Sequence, residues 1–94
     1  MLEISKTSPR SLALRGRLDA GHADRCYQAI VELESDPDLD LAELKYIASA
    51  GISVLVRAYR DFSERGQTVT LRNLQPQVKT VMHFSRIESL FRIE

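Results

Sequence analysis

The clearest pattern in this chain is a stripe of apolar side chains at helical spacing near its centre. The stripe consists of Ile52, Leu55, Val56, Tyr59 and Phe62. Steps of three or four residues place these side chains on one face of an α-helix. Ser49 stands at the start of this segment, and Gly66 follows it as the glycine that commonly ends a helix. The pattern predicts an amphipathic helix with an accessible serine in its first turn.

Alternation of apolar and polar residues predicts the strands. Residues 2–5 and 11–18 form two strands joined through a turn at residues 7–10, which gives a hairpin. A very short strand is expected at residues 39–41, and another strand at residues 67–74. Each strand after the hairpin is separated from the next by a helical segment, so some strand pairs must be parallel.

Two further helices complete the pattern. Asp19 is suited to cap the N-terminus of the first one. Its apolar face comprises Ala23, Cys26, Tyr27, Ile30 and Leu33. Pro76 suits the first position of the last helix, whose inward side chains are Val78, Val81 and Met82.

The order ββαβαβα predicts an α/β fold in a single domain spanning residues 1–94. We expect a mixed sheet of four to five strands with the helices mainly on one face. The predicted core comprises Leu14, Cys26, Ile30, Leu41, Ile52, Leu55, Val56, Tyr59, Val69, Leu71, Val81 and Phe91.

Composition narrows the class of protein. The 94 residues carry 13 basic and 13 acidic side chains, so the net charge is zero and the basic excess typical of a nucleic-acid-binding protein is missing. The single Cys26 cannot form an intramolecular disulfide. No apolar run is long enough to insert in a membrane, and the N-terminus does not read as a secretory signal. These features predict a cytoplasmic protein.

Catalytic and metal-binding residues do not form a recognisable set. His22 and His83 are far apart in the sequence and lack the spacing of metal ligands. Cys26 lies on an apolar helix face, which favours a role in the core over one as a nucleophile. We therefore expect neither an enzyme nor a cofactor-binding protein.

Several segments resemble the signature of STAS domains, and specifically of the bacterial anti-sigma factor antagonists. The run Leu-Asp-Leu-Ala-Glu-Leu-Lys-Tyr-Ile-Ala-Ser-Ala-Gly-Ile at residues 39–52 carries the main resemblance. Residues 15–19, 73–78 and 87–91 add further matches in the same order. This resemblance implies a STAS-type fold for nearly the whole chain.

The resemblance also implies a function. The serine that matches Ser49 is phosphorylated in that family by a kinase that is also an anti-sigma factor, and a phosphatase reverses the modification. The unphosphorylated form binds the kinase. The residues expected to bind the partner are Asp19, Gly21, His22, Ser49, Ser53 and Arg57. This chain departs from the family pattern at Ala48, where an aspartate is frequent, and at Arg86, where glycine is usual.

Alternative interpretations remain open. Ser49 alone could be a helix N-cap, a role compatible with phosphorylation. The chain could also be a STAS adaptor without a phosphorylation switch, in a lipid-transport or signalling complex, and Ala48 favours this slightly. A nucleotide-sensing domain is a third possibility, although the sequence contains no phosphate-binding loop.

Overall fold

The computed structural model describes residues 1–94 as a five-stranded sheet with three α-helices. In chain order, the elements are β1 (Leu2–Ser8), β2 (Ser11–Leu18), α1 (Ala23–Val31), β3 (Asp38–Ile47), α2 (Ser49–Ser63), β4 (Thr70–Arg72), α3 (Pro76–Phe84) and β5 (Arg92–Ile93). The strands lie side by side in the order in which they occur in the chain. β1 runs antiparallel to β2, and every later pair is parallel, which confirms the predicted mixed α/β sheet.

The helices cover one face of this sheet. The 21 buried apolar residues form a single cluster, to which β2 and β3 contribute Leu12, Leu14 and Leu39 among others. Arg15 and Glu43, which pair across β2 and β3, are exposed. One face of the sheet is therefore packed and the other faces solvent, as the strand patterns predicted.

β3 is much longer than the predicted strand at residues 39–41. It bulges twice against β2, because its register shifts between Ala13 and Arg15 and again between Gly16 and Arg17. Each shift places one extra residue on β3, so that Leu41, Leu44 and Ile47 face the core at intervals of three. Because apolar residues three positions apart do not alternate with polar ones, the pattern that predicts strands did not reveal the full length of β3.

The buried face of α2 is also rotated from its predicted position. Its buried residues are Gly51, Val54, Leu55, Ala58 and Phe62. The predicted residues Ile52, Val56 and Tyr59 are only half-buried and flank that line. The small residues Gly51 and Ala58 let the helix approach its neighbours closely. The predicted face was based on large apolar residues only and therefore did not include these two positions.

Smaller elements differ at their boundaries. β1 extends beyond residues 2–5 to Ser8, and β4 occupies only part of the predicted 67–74. β5 was not predicted as a separate strand, although Phe91 just before it is buried as expected. The end of α2 was predicted correctly, since Gly66 has a φ of 72° and Gln67 N–H donates to the Phe62 carbonyl at 2.9 Å.

Most of the predicted core is confirmed. Leu14, Cys26, Ile30, Leu41, Leu55, Val69, Leu71 and Phe91 are all buried. The prediction for Val81 was wrong, because 36% of its surface is exposed, whereas Val78 and Met82 on the same helix are buried. Burial raises the pKa of the Cys26 thiol to about 12, which suits a packing role.

The contrast between Leu55 and Val81 gives a direct test of the core. Leu55→Ala should lower the free energy of unfolding by about 2–5 kcal/mol, because it leaves a cavity at a site only 1% exposed. Val81→Ala should change it by about 0.5 kcal/mol or less. Urea titration followed by circular dichroism measures both, and equal losses would contradict the observed orientation of the helices.

Candidate functional site

The candidate site forms where β2 and β3 end side by side. Leu18 and Ile47 are the last paired residues of these parallel strands. Ala48 N–H then donates to the Leu18 carbonyl at 2.9 Å and ties the two strand exits together. Asp19 directly follows β2, and Ser49 follows β3 after the single residue Ala48. Two segments far apart in the sequence are thus brought to the same edge of the sheet.

Gly51 allows α2 to start this close to the strand ends. A Cβ at this position would lie 2.7 Å from Ile47 Cγ1, 2.8 Å from Leu18 Cγ and 2.9 Å from the Leu18 carbonyl oxygen. Distances below 3.0 Å cannot be accommodated without movement of the backbone or of buried side chains. The position of Ser49 next to the β2 exit therefore depends on a residue without a side chain.

Ser49 is exposed and is the first residue of α2. The helix N-cap is Ala48, so the interpretation of Ser49 as the N-cap is wrong, and no side chain caps this end. The first backbone hydrogen bond is donated by Ile52 N–H to the Ala48 carbonyl. The N–H groups of the first turn accordingly have no protein acceptor, and together with the helix dipole they favour an anion at this end.

Asp19 and His22 form a pair on the neighbouring turn. His22 Nδ1 lies 2.7 Å from Asp19 Oδ1, and this hydrogen bond is the main cause that lowers the pKa of the Asp19 carboxyl from 3.8. Asp19 precedes a short 3₁₀ turn at Ala20–His22 and does not cap α1 with its side chain, so the predicted capping role is wrong. The Asp19 carboxylate is instead hydrogen-bonded to the His22 ring. Gly21 in the same turn is exposed.

Ser53 and Arg57 continue along the exposed side of α2 from Ser49. Arg57 is held away from the serine end, because its guanidinium carbon lies 3.9 Å from the centre of the Tyr27 ring on α1. The Tyr27 hydroxyl in turn donates to Asp61, which raises the pKa of Tyr27. Eight residues of helix separate Ser49 from Arg57 by about 12 Å along the axis. Arg57 therefore lies at the far end of the stripe.

A groove between α2 and α3 adjoins Ser49 and has a volume of about 500 Å³. It is lined by Tyr46, Ile47, Ala48, Ser49, Ile52, Ser53, Val81 and Ser85. Three of these residues, Tyr46, Val81 and Ser85, were not among the site residues predicted from the sequence. The half-exposed apolar residues on facing sides of α2 and α3 are the signal that identifies this groove in the structure.

Other polar side chains cluster away from the groove beside Ser49. No group of three or more His, Cys, Asp or Glu side chains is arranged to hold a metal ion. A polar cleft at the opposite end of β3 includes Arg10, Asp36 and Asp38. Asp38 is bonded there to Arg72 at 2.6 Å, and Asp36 accepts from Thr68 N–H at 2.8 Å.

No helix is long and apolar enough to cross a bilayer.

The family model described as "Mlab, STAS domain" matches residues 3–92. The chain belongs to the STAS domain family. A search of the curated proteins found no match.

Solved structures agree with this assignment of the fold. A candidate anti-sigma factor antagonist of Thermotoga maritima superposes with a TM-score of 0.79 at 15% identity, over 98% of this chain and 84% of that one. An anti-sigma factor antagonist from Mycobacterium paratuberculosis gives 0.76 at 15% identity, over 99% and 83%. The phosphorylated form of the Bacillus cell fate determinant SpoIIAA gives 0.71 at 15% identity, over 100% and 91%. At such identity these likenesses establish the fold alone.

The close approach at Gly51 in this STAS domain can be tested with a matched pair of variants. Gly51→Ala should lower the free energy of unfolding by about 1–3 kcal/mol, because the new methyl group overlaps Leu18 and Ile47. Alanine is otherwise favoured over glycine within a helix, so a loss isolates the steric effect. Gly21→Ala is the control, since its Cβ would meet only Asp19 Oδ1 at 3.6 Å. Equal stability of the two variants in urea titration would rule out the steric constraint.

The Asp19–His22 contact gives a prediction for pH dependence. Because the pKa of Asp19 is lowered in the folded protein, the contact contributes stability above pH 3.8 and loses it as the pH falls through the folded pKa. The Asp19 carboxyl carbon should therefore titrate below 3.8 by NMR, and His22→Ala should return its midpoint towards 3.8. A midpoint unaffected by His22→Ala would show that the hydrogen bond is not the cause.

Proposed function

We propose that this STAS domain is an anti-sigma factor antagonist, that is, a protein-binding switch controlled by phosphorylation of Ser49. Its partner is a serine kinase that also acts as an anti-sigma factor. The unphosphorylated domain binds this kinase, the phosphorylated domain releases it, and a serine phosphatase restores binding. The observation that carries the proposal is the exposed hydroxyl of Ser49 at the first position of α2, beside a groove that a partner can fill.

The helix start explains why phosphorylation should leave the fold intact. A phosphate adds a charge of about −1.5 to −2 at neutral pH. At the N-terminus of α2 the free N–H groups and the helix dipole favour such a charge by about 0.3–1 kcal/mol. Gly51 and the other contacts that fix the helix lie on its buried side, away from the exposed hydroxyl.

The same charge should be costly within a complex. A partner fitted to a neutral hydroxyl would have to desolvate the phosphate without a counter-charge prepared for it. Asp19, which lies at the adjoining strand end, already adds a carboxylate to this edge. Desolvation of this increased negative charge therefore opposes the complex, while the domain itself stays folded.

Likeness to known proteins supports the proposal without deciding the partner. The structures similar to this chain include SpoIIAA, described as an anti-sigma factor antagonist, in both its unphosphorylated and phosphorylated forms. The candidate partner surface comprises Asp19, Gly21, His22, Ser49, Ser53 and Arg57, together with the groove beside α3. A cytoplasmic location, with no direct contact to nucleic acid, belongs to the same proposal.

A STAS adaptor without a phosphorylation switch is a second candidate. One observation favours it: Ala48 stands beside Ser49, where the antagonists that this sequence resembles frequently have aspartate. An adaptor would use the same groove, but its affinity for the partner would not depend on kinase and ATP. The two candidates thus differ in a measurable property.

Substitution of Ser49 tests the switch. With the purified kinase partner, Ser49→Ala should bind as tightly as the wild type, and Ser49→Asp should bind at least about tenfold more weakly, because a charge is desolvated at the interface. Isothermal titration calorimetry measures the affinities, and thermal unfolding should show similar melting temperatures for both variants. Ser5→Asp on exposed β1 is the control for added charge and should bind normally.

Phosphopeptide mapping after incubation with kinase and ATP identifies the modified residue. Modification of Ser49 with loss of the complex is the expected result. Modification at Ser53 or Ser63 with Ser49 untouched would move the switch elsewhere. A stable complex that ATP leaves intact, with no modification, would favour the adaptor.

A further inference from the structure

Helices α2 and α3 end in the same hydrogen-bonded motif but with different residues. At the end of α2, Gly66 N–H donates to the Ser63 carbonyl and the next residue bonds back to Phe62. At the end of α3, Arg86 N–H donates to the His83 carbonyl at 3.0 Å and Ile87 N–H to the Met82 carbonyl at 3.2 Å. This motif requires a left-handed residue, with φ of 72° at Gly66 and 58° at Arg86. Arginine therefore occupies a position that favours glycine.

Arg86 differs from the other non-glycine residues with positive φ, which are Asp36 and Asn73. Asp36 uses its side chain to accept Thr68 N–H, and Asn73 donates its side-chain amide to Asp40 at 3.1 Å. Aspartate and asparagine also tolerate this conformation better than longer side chains. The exposed Arg86 side chain forms no hydrogen bond or ion pair within the domain. The backbone hydrogen bonds of the motif hold this conformation, but no contact of the Arg86 side chain offsets its strain.

The surface around Arg86 is unusually apolar for an exposed helix. Phe84 has 81% of its surface exposed, and Val81 on the same helix has 36% exposed. Ser85, directly before Arg86, lines the groove that also contains Ser49. Val81 and Ser85 thus link α3 to the candidate switch site, while Phe84 lines a second hollow together with Lys79.

The charged side chains of this surface that form no ion pair are positive. Lys79 lines a shallow hollow beside Phe84 and forms no ion pair, and neither does Arg86. The nearby carboxylate of Glu88 already bonds His83 Nδ1 at 2.6 Å. An occupant that complements this surface should bring an apolar side chain and unpaired carboxylates.

We propose that the exposed residues of α3 and of the turn that follows it, defined by Lys79, Val81, Phe84, Ser85 and Arg86, are the second half of the partner interface, and that Arg86 pairs with a carboxylate of the partner protein. The planar guanidinium suits two-point pairing with a carboxylate, and Phe84 supplies the apolar anchor beside it. The proposal rests on the proposed function for the identity of the partner. A protein is favoured over a membrane or nucleic acid because the chain has no net charge and the surface adjoins a groove.

Two reciprocal variants separate strain from binding. Arg86→Gly should raise the melting temperature by about 2–6 °C, because it relieves the left-handed strain, and should weaken binding of the kinase at least about tenfold. Gly66→Arg is the matched control at the end of α2, where nothing lies within 4 Å of an added Cβ. It should lower the melting temperature and leave the affinity unchanged. Arg86→Lys and Phe84→Ala should each weaken binding without lowering the melting temperature.

The experiment uses the purified kinases of the anti-sigma type encoded by the source organism, titrated calorimetrically with the full chain. Normal affinity of Arg86→Gly, or no rise in its melting temperature, would overturn the proposal. If Ser49→Asp still binds the kinase while Arg86→Gly does not, the proposed docking surface is supported and the proposed switch is wrong. If Arg86→Gly binds normally while Ser49→Asp does not, the switch is supported and the docking surface is wrong. Absence of wild-type binding to any kinase would overturn both. Binding of anionic phosphatidylglycerol vesicles that depends on Arg86, with kinase affinity unchanged, would assign the surface to a membrane instead.

Discussion

The contact of Gly51 with Leu18 and Ile47 is the constraint on which the rest of the site depends. It brings the first turn of α2 against the ends of β2 and β3, where a Cβ would overlap both side chains. The bond from Ala48 N–H to the Leu18 carbonyl fixes the same junction through the backbone. As a result Ser49 starts a helix beside the Asp19 turn, and its hydroxyl is exposed although its surroundings are closely packed. A rigid base and an accessible hydroxyl are both required of a modification site that alters binding without altering the fold.

The two bulges of β3 bring the chain to that junction in the correct orientation. A strict strand of ten residues would turn every second side chain inward. The extra residues instead place Leu44 and Ile47 in the core and leave Glu43 and Tyr46 exposed. The last residue of β3 therefore points into the core immediately before α2 begins, so the helix can pack on it at once.

The fold class, the strand β2, the end of α2 and most of the core could be predicted from the sequence, because they depend on local periodicity and on glycine at a helix end. β3 could not be predicted at full length, since its bulges arise from pairing with β2 and appear in the sequence as spacing of three. The buried face of α2 was misplaced because Gly51 and Ala58 pack without large side chains. The groove beside α3 could not be predicted from the sequence, because it forms only where two helices that are distant in the chain come together. The position of Ser49 at a predicted helix start drew attention to it, but spacing alone favoured a cap, and the resemblance favoured phosphorylation.

The placement of Arg57 bears on how a charge at Ser49 would act in the proposed switch. Arg57 shares the exposed side of α2 with Ser49, but it lies two turns away and is held over the Tyr27 ring. It therefore cannot neutralise a phosphate at the start of the helix. Backbone N–H groups can stabilise such a phosphate, yet they carry no net charge and leave its negative field directed outwards. In the proposed switch, the domain would tolerate the added charge at the helix start, and its effect would fall on the partner that occupies the groove.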